Sequence, residues 1–233
     1  MEKLFSTLAL KDIHSDLFRN IVSLKKSKNL YDDLSDDAEA WSSAVQLEIE
    51  TKPKIFSNQD PAINRPFEEA KWNEAIGYPF RNSSQSRFSD GTYGVWYGAN
   101  NLETTIFETA YHWQNKLLSD AGFNIAGVSI ERKIYLVQCD SALIDLRPAI
   151  EKNPEIAHLA DYTATHAIGN KIHREGHPGL ITKSVRYSKG DVYAIFTPKV
   201  LSNVRTTCFL TYTTTQKGIE IAKTDGETIL VIQ

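Results

Sequence analysis

The residues best suited to chemistry lie in one short segment, SRFSDGTYGVWYGANNLETTIFETAYHW, which spans 86–113. Arg87 can bind an anion through parallel N–H donors, and Tyr93 and Tyr97 offer aromatic rings for stacking. Glu108 adds a carboxylate, which alone would be interpreted as a solvated side chain opposite an apolar helical stripe. Together these groups suit a nucleotide that carries a phosphate and a leaving base.

A strand, a turn and a helix are predicted to position these side chains. Residues 93–99 are aromatic and β-branched enough for a strand. Asn100 then offers a helix cap, with Glu103 three residues later as in a capping box. Glu108 and His112 are four residues apart, and they share the face opposite the apolar stripe and can line one cleft. That stripe is formed by Leu102, Ile106, Ala110, Trp113 and Leu117.

The rest of the chain mixes helices and strands without regular alternation. Further helices are predicted around 34–49 and 156–172, the second ended by Gly176 and Pro178. The dipeptide Asp225-Gly226 suits a hairpin turn between the last two strands. This pattern favours an α+β fold over a doubly wound one. The other predicted strands are 125–131, 134–138, 142–146, 179–185, 191–196 and the segments TTCFLTYTTT, GIEIAK and TILVIQ.

Length and local composition define the domain organisation. The 233 residues suit one large domain. Residues 51–72 contain three prolines and little periodicity, which indicates an irregular surface connection. We therefore expect a single domain, 1–233, with an insertion around 30–80.

Charge and hydropathy exclude several classes of protein. A formal net charge of -3, from 26 basic and 29 acidic residues, argues against direct nucleic-acid binding. The start, MEKLFSTLALKDIHSD, lacks a signal-peptide pattern, and no run approaches the roughly 18 apolar residues of a membrane span. Cys139 and Cys208 lie in apolar, strand-like stretches typical of buried, reduced thiols. A cytoplasmic protein without membrane contact is expected.

No metal site is predicted from the histidines. His158 and His166 are eight residues apart on the predicted helix and point in different directions, and His177 lies beyond the end of that helix. The sequence also lacks a G-x-S-x-G elbow, a Walker loop and a G-x-G-x-x-G motif. These absences argue against the simplest hydrolase, triphosphatase and dinucleotide-oxidoreductase interpretations.

Two blocks of the sequence resemble the RES family, which is named for its arginine, glutamate and serine. Members of this family occur as toxins of bacterial toxin–antitoxin pairs. The block SRFSDGTYGVWYGANNLETTIFETAYH looks like the family's arginine, tyrosine strand and glutamate helix. The block AIGNKIHREGHPGLITKSVRYSKGDVYAIFTP looks like its helix, glycine turn, serine-arginine pair and strand. The resemblance implies an ADP-ribosyltransferase-like split mixed sheet with flanking helices, whose cleft holds NAD+.

The same resemblance implies the catalytic residues Glu108, Arg87 and Ser184. Family members attack the bond between nicotinamide and ribose, which builds oxocarbenium character on the sugar. A carboxylate at Glu108 would stabilise that transition state more than the ground state. Ser184 would hydrogen-bond the nicotinamide amide or the adjacent ribose.

The resemblance also implies which arginines bind the substrate. The segment HSDLFRNIVS resembles the weaker opening motif and makes Arg19 the first family arginine, whereas Arg81 in YPFRN is the rival. Arg19 and Arg87 would bind the phosphate and ribose side bidentately, a role that lysine fills less well. Asn20 follows Arg19 where many members have a tyrosine or an apolar residue.

Four further residues complete the predicted NAD+-binding set. Tyr97 would stack against nicotinamide or ribose, and Tyr93 would belong to the same set of rings. His112 or Arg186 would support the residues that contact the substrate.

The predicted function is that of an RES-type toxin that cleaves NAD+ and transfers ADP-ribose to phosphate or water. No metal is expected, and a cognate antitoxin with a helix-turn-helix part is the expected protein partner. One alternative is ADP-ribosyl transfer to a protein target. The other is a non-catalytic module that binds a nucleotide or a partner.

Overall fold

The computed structural model describes residues 2–23, 70–118, 125–223 and 226–233. The helix predicted around 34–49 lies outside these ranges, as do most of the predicted insertion at 30–80 and Asp225 of the predicted hairpin turn. Across the described part of the chain, no helix is long and apolar enough to cross a bilayer.

Helices and strands alternate irregularly along the described residues, as an α+β fold requires. The α-helices are α1 (Glu2–Phe5), α2 (Tyr78–Arg81), α3 (Leu102–His112) and α4 (Thr163–Arg174). A π-helical turn precedes α2 at Asn73–Gly77, and another follows α3 at Trp113–Leu118. Short 3-10 helices lie at Arg147–Ala149, Pro154–Ala157 and Pro198–Val200.

The strands of the described residues form one mixed sheet. They are β1 (Ala9–Val22), β2 (Trp96–Ala99), β3 (Ser129–Asp145), β4 (Gly179–Lys183), β5 (Asp191–Ile195), β6 (Leu201–Thr215), β7 (Gly218–Lys223) and β8 (Thr228–Ile232). Strand order is β1-β2-β5-β4-β3-β6-β7-β8, and β1 also pairs with β3. The sheet therefore closes on itself through β1, β2, β5, β4 and β3.

This sheet is split into two antiparallel groups. One group holds β2, β5 and β4, and the other holds β1, β3, β6, β7 and β8. The groups meet at the single antiparallel pair Phe18↔Ala99 and at a short parallel pairing of β3 with β4 that includes Asp145↔Ile181. The predicted α+β fold with a split mixed sheet is thus confirmed.

A helix covers each strand group and buries its apolar side there. From α3, Ile106 and Ala110 pack with Tyr212 of β6. From α4, Ile168 and Ile172 pack against the strands of the other group, together with buried residues that include Leu180 and Ala194. Burial of such side chains contributes roughly 1.5–3 kcal/mol each, so these faces fix where the two helices sit. The predicted apolar stripe of α3 is confirmed at its described positions.

Several of the predicted elements have different boundaries in the structure. The strands predicted at 125–131, 134–138 and 142–146 form one strand, β3, because β1 pairs with it continuously from Ala9↔Asp145 to Val22↔Arg132. The helix predicted at 156–172 begins at Thr163, because the ring of His158 accepts hydrogen bonds from the backbone N–H groups of the next turn. The strand predicted at 93–99 is formed only by Trp96–Ala99.

The predicted helix cap is displaced by one residue. Asn101 caps α3, since its side-chain oxygen accepts from the backbone N–H of Thr104 at 2.8 Å. The side-chain oxygen of Asn100 instead accepts from the backbone N–H of Asp191 at 3.0 Å and so ties the turn to β5. The predicted capping box of Asn100 with Glu103 is therefore wrong.

The two cysteines are free thiols, as predicted, but only Cys139 is buried, whereas Cys208 is partly exposed. Burial raises the pKa of Cys139 to about 12, with a further contribution from Asp140. Burial also raises the pKa of Cys208. Raised thiol pKa values disfavour the nucleophilic thiolate form.

Candidate active site

A cleft of about 420 Å³ lies where the two strand groups part. This volume is within the range of small-molecule sites in proteins. Side chains from β1, the turn before β2, β2 itself, α3, β4 and β5 form its walls. The predicted site residues that line it are Arg19, Arg87, Tyr97, Glu108 and His112. Residues far apart in sequence are therefore brought together around one cavity.

The carboxylate of Glu108 is fixed by a hydrogen bond from Ser184. Ser184 is buried, and its Oγ donates to Glu108 Oε1 at 2.6 Å. The same oxygen accepts from the backbone N–H groups of Arg186 at 3.1 Å and Tyr187 at 3.0 Å. A serine hydroxyl has one donor and two acceptor lone pairs, so all its hydrogen-bonding capacity is used within the protein. In the structure its only proton is bonded to Glu108, and the contact of Ser184 with the substrate stays a prediction.

Arg19 lines the cleft with part of its guanidinium unpaired. Its Nη1 donates to the backbone oxygen of Tyr97 at 2.8 Å, and its guanidinium carbon lies 5.5 Å from the ring centroid of Trp96. Its Nε is buried and has no hydrogen-bond partner among the described residues. Burial lowers the pKa of Arg19 to about 10, and the charge of Arg132 adds to this effect. An unpaired cationic donor at a cleft wall suits an anionic ligand.

Arg81, the rival for the first family arginine, lies elsewhere. Its guanidinium contacts the side chain of Asn73, at the π-helical turn that precedes α2, and it does not line the cleft. The geometry therefore favours Arg19 for this role.

Arg87 lies in the turn before β2 and faces Tyr162. Its Nη1 donates to the backbone oxygen of His158 at 2.8 Å, and its guanidinium carbon lies 4.6 Å from the ring centroid of Tyr162. Burial lowers the pKa of Arg87, whereas Tyr162 and Glu108 raise it. Contact with an aromatic face stabilises the cation where it is partly removed from water.

Tyr97 both lines the cleft and holds the turn that carries Arg87. Its hydroxyl accepts from the backbone N–H of Phe88 at 3.0 Å and donates to Ser86 Oγ at 3.0 Å. Burial raises the pKa of Tyr97 to about 12, so the hydroxyl stays protonated. Since the hydroxyl is used in the turn, the ring is the part of Tyr97 that can contact a ligand.

Tyr93 does not line the cleft. Its ring stacks on His173 of α4 with the centroids 4.0 Å apart, and its hydroxyl donates to the backbone oxygen of Phe88 at 2.6 Å. This side chain packs between the turn and α4, and its contact with a nucleotide stays a prediction.

Arg186 also lies outside the cleft wall, whereas His112 is part of it. Arg186 Nη2 donates to the backbone oxygen of Leu159 at 2.7 Å, and the guanidinium carbon lies 3.5 Å from the ring centroid of Tyr111. Its backbone N–H supports Ser184. Arg186 can therefore act on the site only through its neighbours.

Asn20, which has no role predicted from the sequence, lines the cleft and anchors a buried polar network. Its amide nitrogen donates to the hydroxyl of Tyr212 at 2.9 Å, and its amide oxygen accepts from Arg132 Nε at 2.8 Å. The Tyr212 hydroxyl lies 3.0 Å from the hydroxyl of Thr109 on α3. This network joins β1, β3, β6 and α3 beside Glu108. The role of Asn20 could be predicted only if the long-range pairing of β1 with β3 were known.

Tyr162 and Lys183 were also missed and line the cleft. Lys183 precedes Ser184 in the sequence, and its Nζ pairs with Asp191 at 2.8 Å. The position of Tyr162 in the cleft follows from its contact with Arg87, which no sequence motif indicates. In the described ranges, no group of three or more His, Cys, Asp and Glu side chains could hold a metal ion.

Comparisons with known proteins give one family match. The family model for the RES domain matches residues 63–215, which include Arg87, Glu108 and Ser184 but not Arg19. No curated protein matches the sequence. A chain of the M. tuberculosis MbcT–MbcA toxin–antitoxin complex is 12% identical, with 88% of this chain and 90% of that chain covered and a TM-score of 0.47.

Proposed function

The chain belongs to the RES domain family, and we propose that it cleaves NAD+ at the bond between nicotinamide and ribose. The ADP-ribosyl group is transferred to phosphate or water. This proposal rests on the carboxylate of Glu108, whose Oε1 accepts a hydrogen bond from Ser184 Oγ at 2.6 Å. Arg19 and Arg87 line the same cleft as Glu108. No metal takes part in the proposed reaction.

Glu108 supplies the electrostatic stabilisation that this bond cleavage needs. Departure of nicotinamide leaves positive charge on the ribose carbon and ring oxygen. A carboxylate fixed in advance stabilises that charge without reorganising during the reaction. The hydrogen bond from Ser184 keeps the carboxylate in one orientation, so Ser184 acts as a positioning residue.

The arginines hold the diphosphate of the substrate. Arg19 can donate to a phosphate oxygen through its buried, unpaired Nε. Arg87 can donate through the N–H groups that are not bonded to the backbone oxygen of His158. Guanidinium groups bind phosphate oxygens through parallel hydrogen bonds, which fixes orientation as well as affinity. The ring of Tyr97 forms a wall for nicotinamide or the adjacent ribose, and His112 lies on the same face of α3 as Glu108.

An enzyme that consumes NAD+ harms the cell that makes it. We therefore propose that this chain is a toxin and that its partner is an antitoxin with a helix-turn-helix part, which covers the cleft. The membership of the RES domain family supports this proposal.

The proposal is tested by incubating the purified chain with NAD+ and measuring free nicotinamide, with and without inorganic phosphate. Release of nicotinamide is the expected result. ADP-ribose as the second product identifies water as the acceptor, and ADP-ribose 1-phosphate identifies phosphate. Labelled protein in a cell extract would instead show transfer to a protein, and no release under any condition would contradict the proposed cleavage.

A further inference from the structure

The loop after β4, residues 184–190, is closed by hydrogen bonds within itself. The backbone N–H of Ser184 donates to the backbone oxygen of Gly190 at 2.9 Å, and the N–H of Gly190 donates to the backbone oxygen of Tyr187 at 3.0 Å. The N–H of Tyr187 donates in turn to Ser184 Oγ at 3.0 Å. Because the loop is closed in this way, a movement of Tyr187 also displaces Ser184.

The end of this loop lies directly against α3. A Cβ at Gly190 would overlap the side chain of Thr104, which is buried in the first turn of the helix. Only glycine therefore permits this close approach of the loop to α3.

The ring of Tyr187 provides a second contact with α3, one turn along the helix. It stacks on the ring of Phe107, with the centroids 4.9 Å apart and the planes 9° from parallel. Both rings are partly exposed, and neither belongs to the clusters of buried side chains or lines the cleft. Phe107 directly precedes Glu108, so the stack attaches the loop to the helix beside the proposed catalytic carboxylate.

We infer that the stack of Phe107 and Tyr187 positions Ser184 and Glu108 for the reaction. This inference rests on the proposed function, because it assigns the stack a role in turnover through Glu108. Aromatic pairs in such a geometry attract each other beyond the effect of burial alone, so the stack holds the loop in one place on α3.

The hydrogen bond between Ser184 and Glu108 depends on that placement. Ser184 Oγ donates to Glu108 Oε1 at 2.6 Å, and such a bond requires both groups to keep their distance and direction. Loss of the stack lets the loop move and weakens the bond, whereas the arginines of the cleft stay in place. Phe107 and Tyr187 are therefore positioning residues whose loss lowers turnover more than substrate binding.

The test separates the ring of Tyr187 from its hydroxyl. Tyr187→Phe keeps the stacked ring, whereas Tyr187→Ala removes it. Tyr78→Ala is the control, because Tyr78 is an exposed tyrosine that does not line the cleft. Nicotinamide release gives kcat and KM, and NMR gives the hydrogen-exchange rate of the Arg186 amide, which donates to Ser184 Oγ.

Tyr187→Ala should lower kcat by about tenfold and leave KM within about threefold of wild type. It should also speed exchange of the Arg186 amide by about tenfold or more, because the loop opens more often. Tyr187→Phe and Tyr78→Ala should match wild type in all three quantities. Wild-type kcat and exchange in Tyr187→Ala would overturn the inference, and so would a loss of kcat in Tyr187→Phe as large as that in Tyr187→Ala.

Phe107→Ala provides an independent check on the same contact. Since either substitution alone removes the stack, the double variant Phe107→Ala/Tyr187→Ala should lose no more kcat than the single variants. Losses that multiply in the double variant would show that the two rings act separately and would overturn the inference.

Hydrogen exchange decides the inference even if wild type releases no nicotinamide. In that case the proposed cleavage fails. Faster exchange of the Arg186 amide in Tyr187→Ala but not in Tyr187→Phe would still show that the stack positions the loop that carries Ser184. Equal exchange in wild type and both variants would overturn this role of the stack.

Discussion

Ser184 shows how the role of a single residue depends on its hydrogen-bond partners. The family resemblance implied that this serine contacts the substrate. In the structure its hydroxyl donates a hydrogen bond to Glu108 Oε1. The same oxygen accepts hydrogen bonds from the backbone N–H groups of Arg186 and Tyr187. Ser184 therefore connects the loop after β4 to the proposed catalytic carboxylate.

Replacement of Ser184 should reduce turnover more than substrate binding. Ser184→Ala removes the donor to Glu108 and leaves two part-buried N–H groups without their acceptor. We expect kcat for nicotinamide release to fall by about 10²-fold while KM changes by less than about threefold, because a misplaced catalytic group costs this much. Partial recovery in Ser184→Thr would show that the hydroxyl is responsible.

The matched control is Ser188→Ala, at an exposed serine four residues later in the same loop. This variant should have the activity of wild type. A Ser184→Ala enzyme whose KM rises while its kcat is unchanged would return Ser184 to the role of a substrate contact.

Arg19 should be sensitive to replacement by lysine even though the charge is kept. Lysine has one nitrogen, which cannot both donate to the backbone oxygen of Tyr97 and bind phosphate in the manner of the Arg19 guanidinium. We expect Arg19→Lys to raise the KM for NAD+ by about tenfold with a smaller effect on kcat. Arg174→Lys, at an exposed arginine at the end of α4, is the control. Equal KM values for the two variants would exclude Arg19 from substrate binding.

At the scale of elements, the turn that carries Arg87 is tied to α4 by Asp90. Asp90 Oδ1 accepts from the backbone N–H and the hydroxyl of Thr92, and Oδ2 accepts from Asn170 at 3.0 Å. The hydrogen bond from the side chain of Thr92, and then those from its backbone and from Asn170, lower the pKa of Asp90 to about 2. The ionised carboxylate therefore stabilises the position of this turn.

The stability that Asp90 contributes should be lost in acid. Because its folded pKa is lower than its unfolded value, the unfolded state binds more protons as the pH falls, and the stabilising effect disappears between about pH 4 and pH 2. We expect wild type to be more stable than Asp90→Asn to urea at pH 6, and the difference to shrink towards pH 2. Other titrating groups are common to both proteins and cancel in this difference. A difference that is constant from pH 6 to pH 2 would contradict the stated role of Asp90.

Elements with a strong local signal could be predicted from the sequence, and elements that depend on distant partners could not. The apolar spacing of α3 identified the helix and placed Glu108 with His112 on one face. The sequence predicted separate strands at 125–131 and 134–138, yet β3 continues through Arg132 and Lys133 because β1 pairs along its length. Arg132 is buried there and bonded to Asn20, a contact between residues 112 positions apart.

At the scale of the whole molecule, the cleft is a consequence of the split in the sheet. The two strand groups meet in one register pair between β1 and β2 and in a short pairing between β3 and β4, and the site residues lie between these junctions. Arg19 reaches this cleft from a strand that lies outside the matched family region of 63–215. No spacing within the sequence could have joined Arg19 to Tyr97, 78 positions away. That assignment came only from the family resemblance.

The most direct test of NAD+ cleavage at this cleft compares turnover with binding in Glu108→Gln. Glutamine keeps the size of the side chain but removes the charge that stabilises the oxocarbenium ion. Glu103→Gln, at an exposed glutamate in the first turn of the same helix, is the control. We predict that Glu108→Gln lowers kcat for nicotinamide release by about 10²–10³-fold and keeps the affinity for NAD+ within about threefold, while Glu103→Gln matches wild type. Near-normal turnover by a folded Glu108→Gln protein would contradict the proposed mechanism.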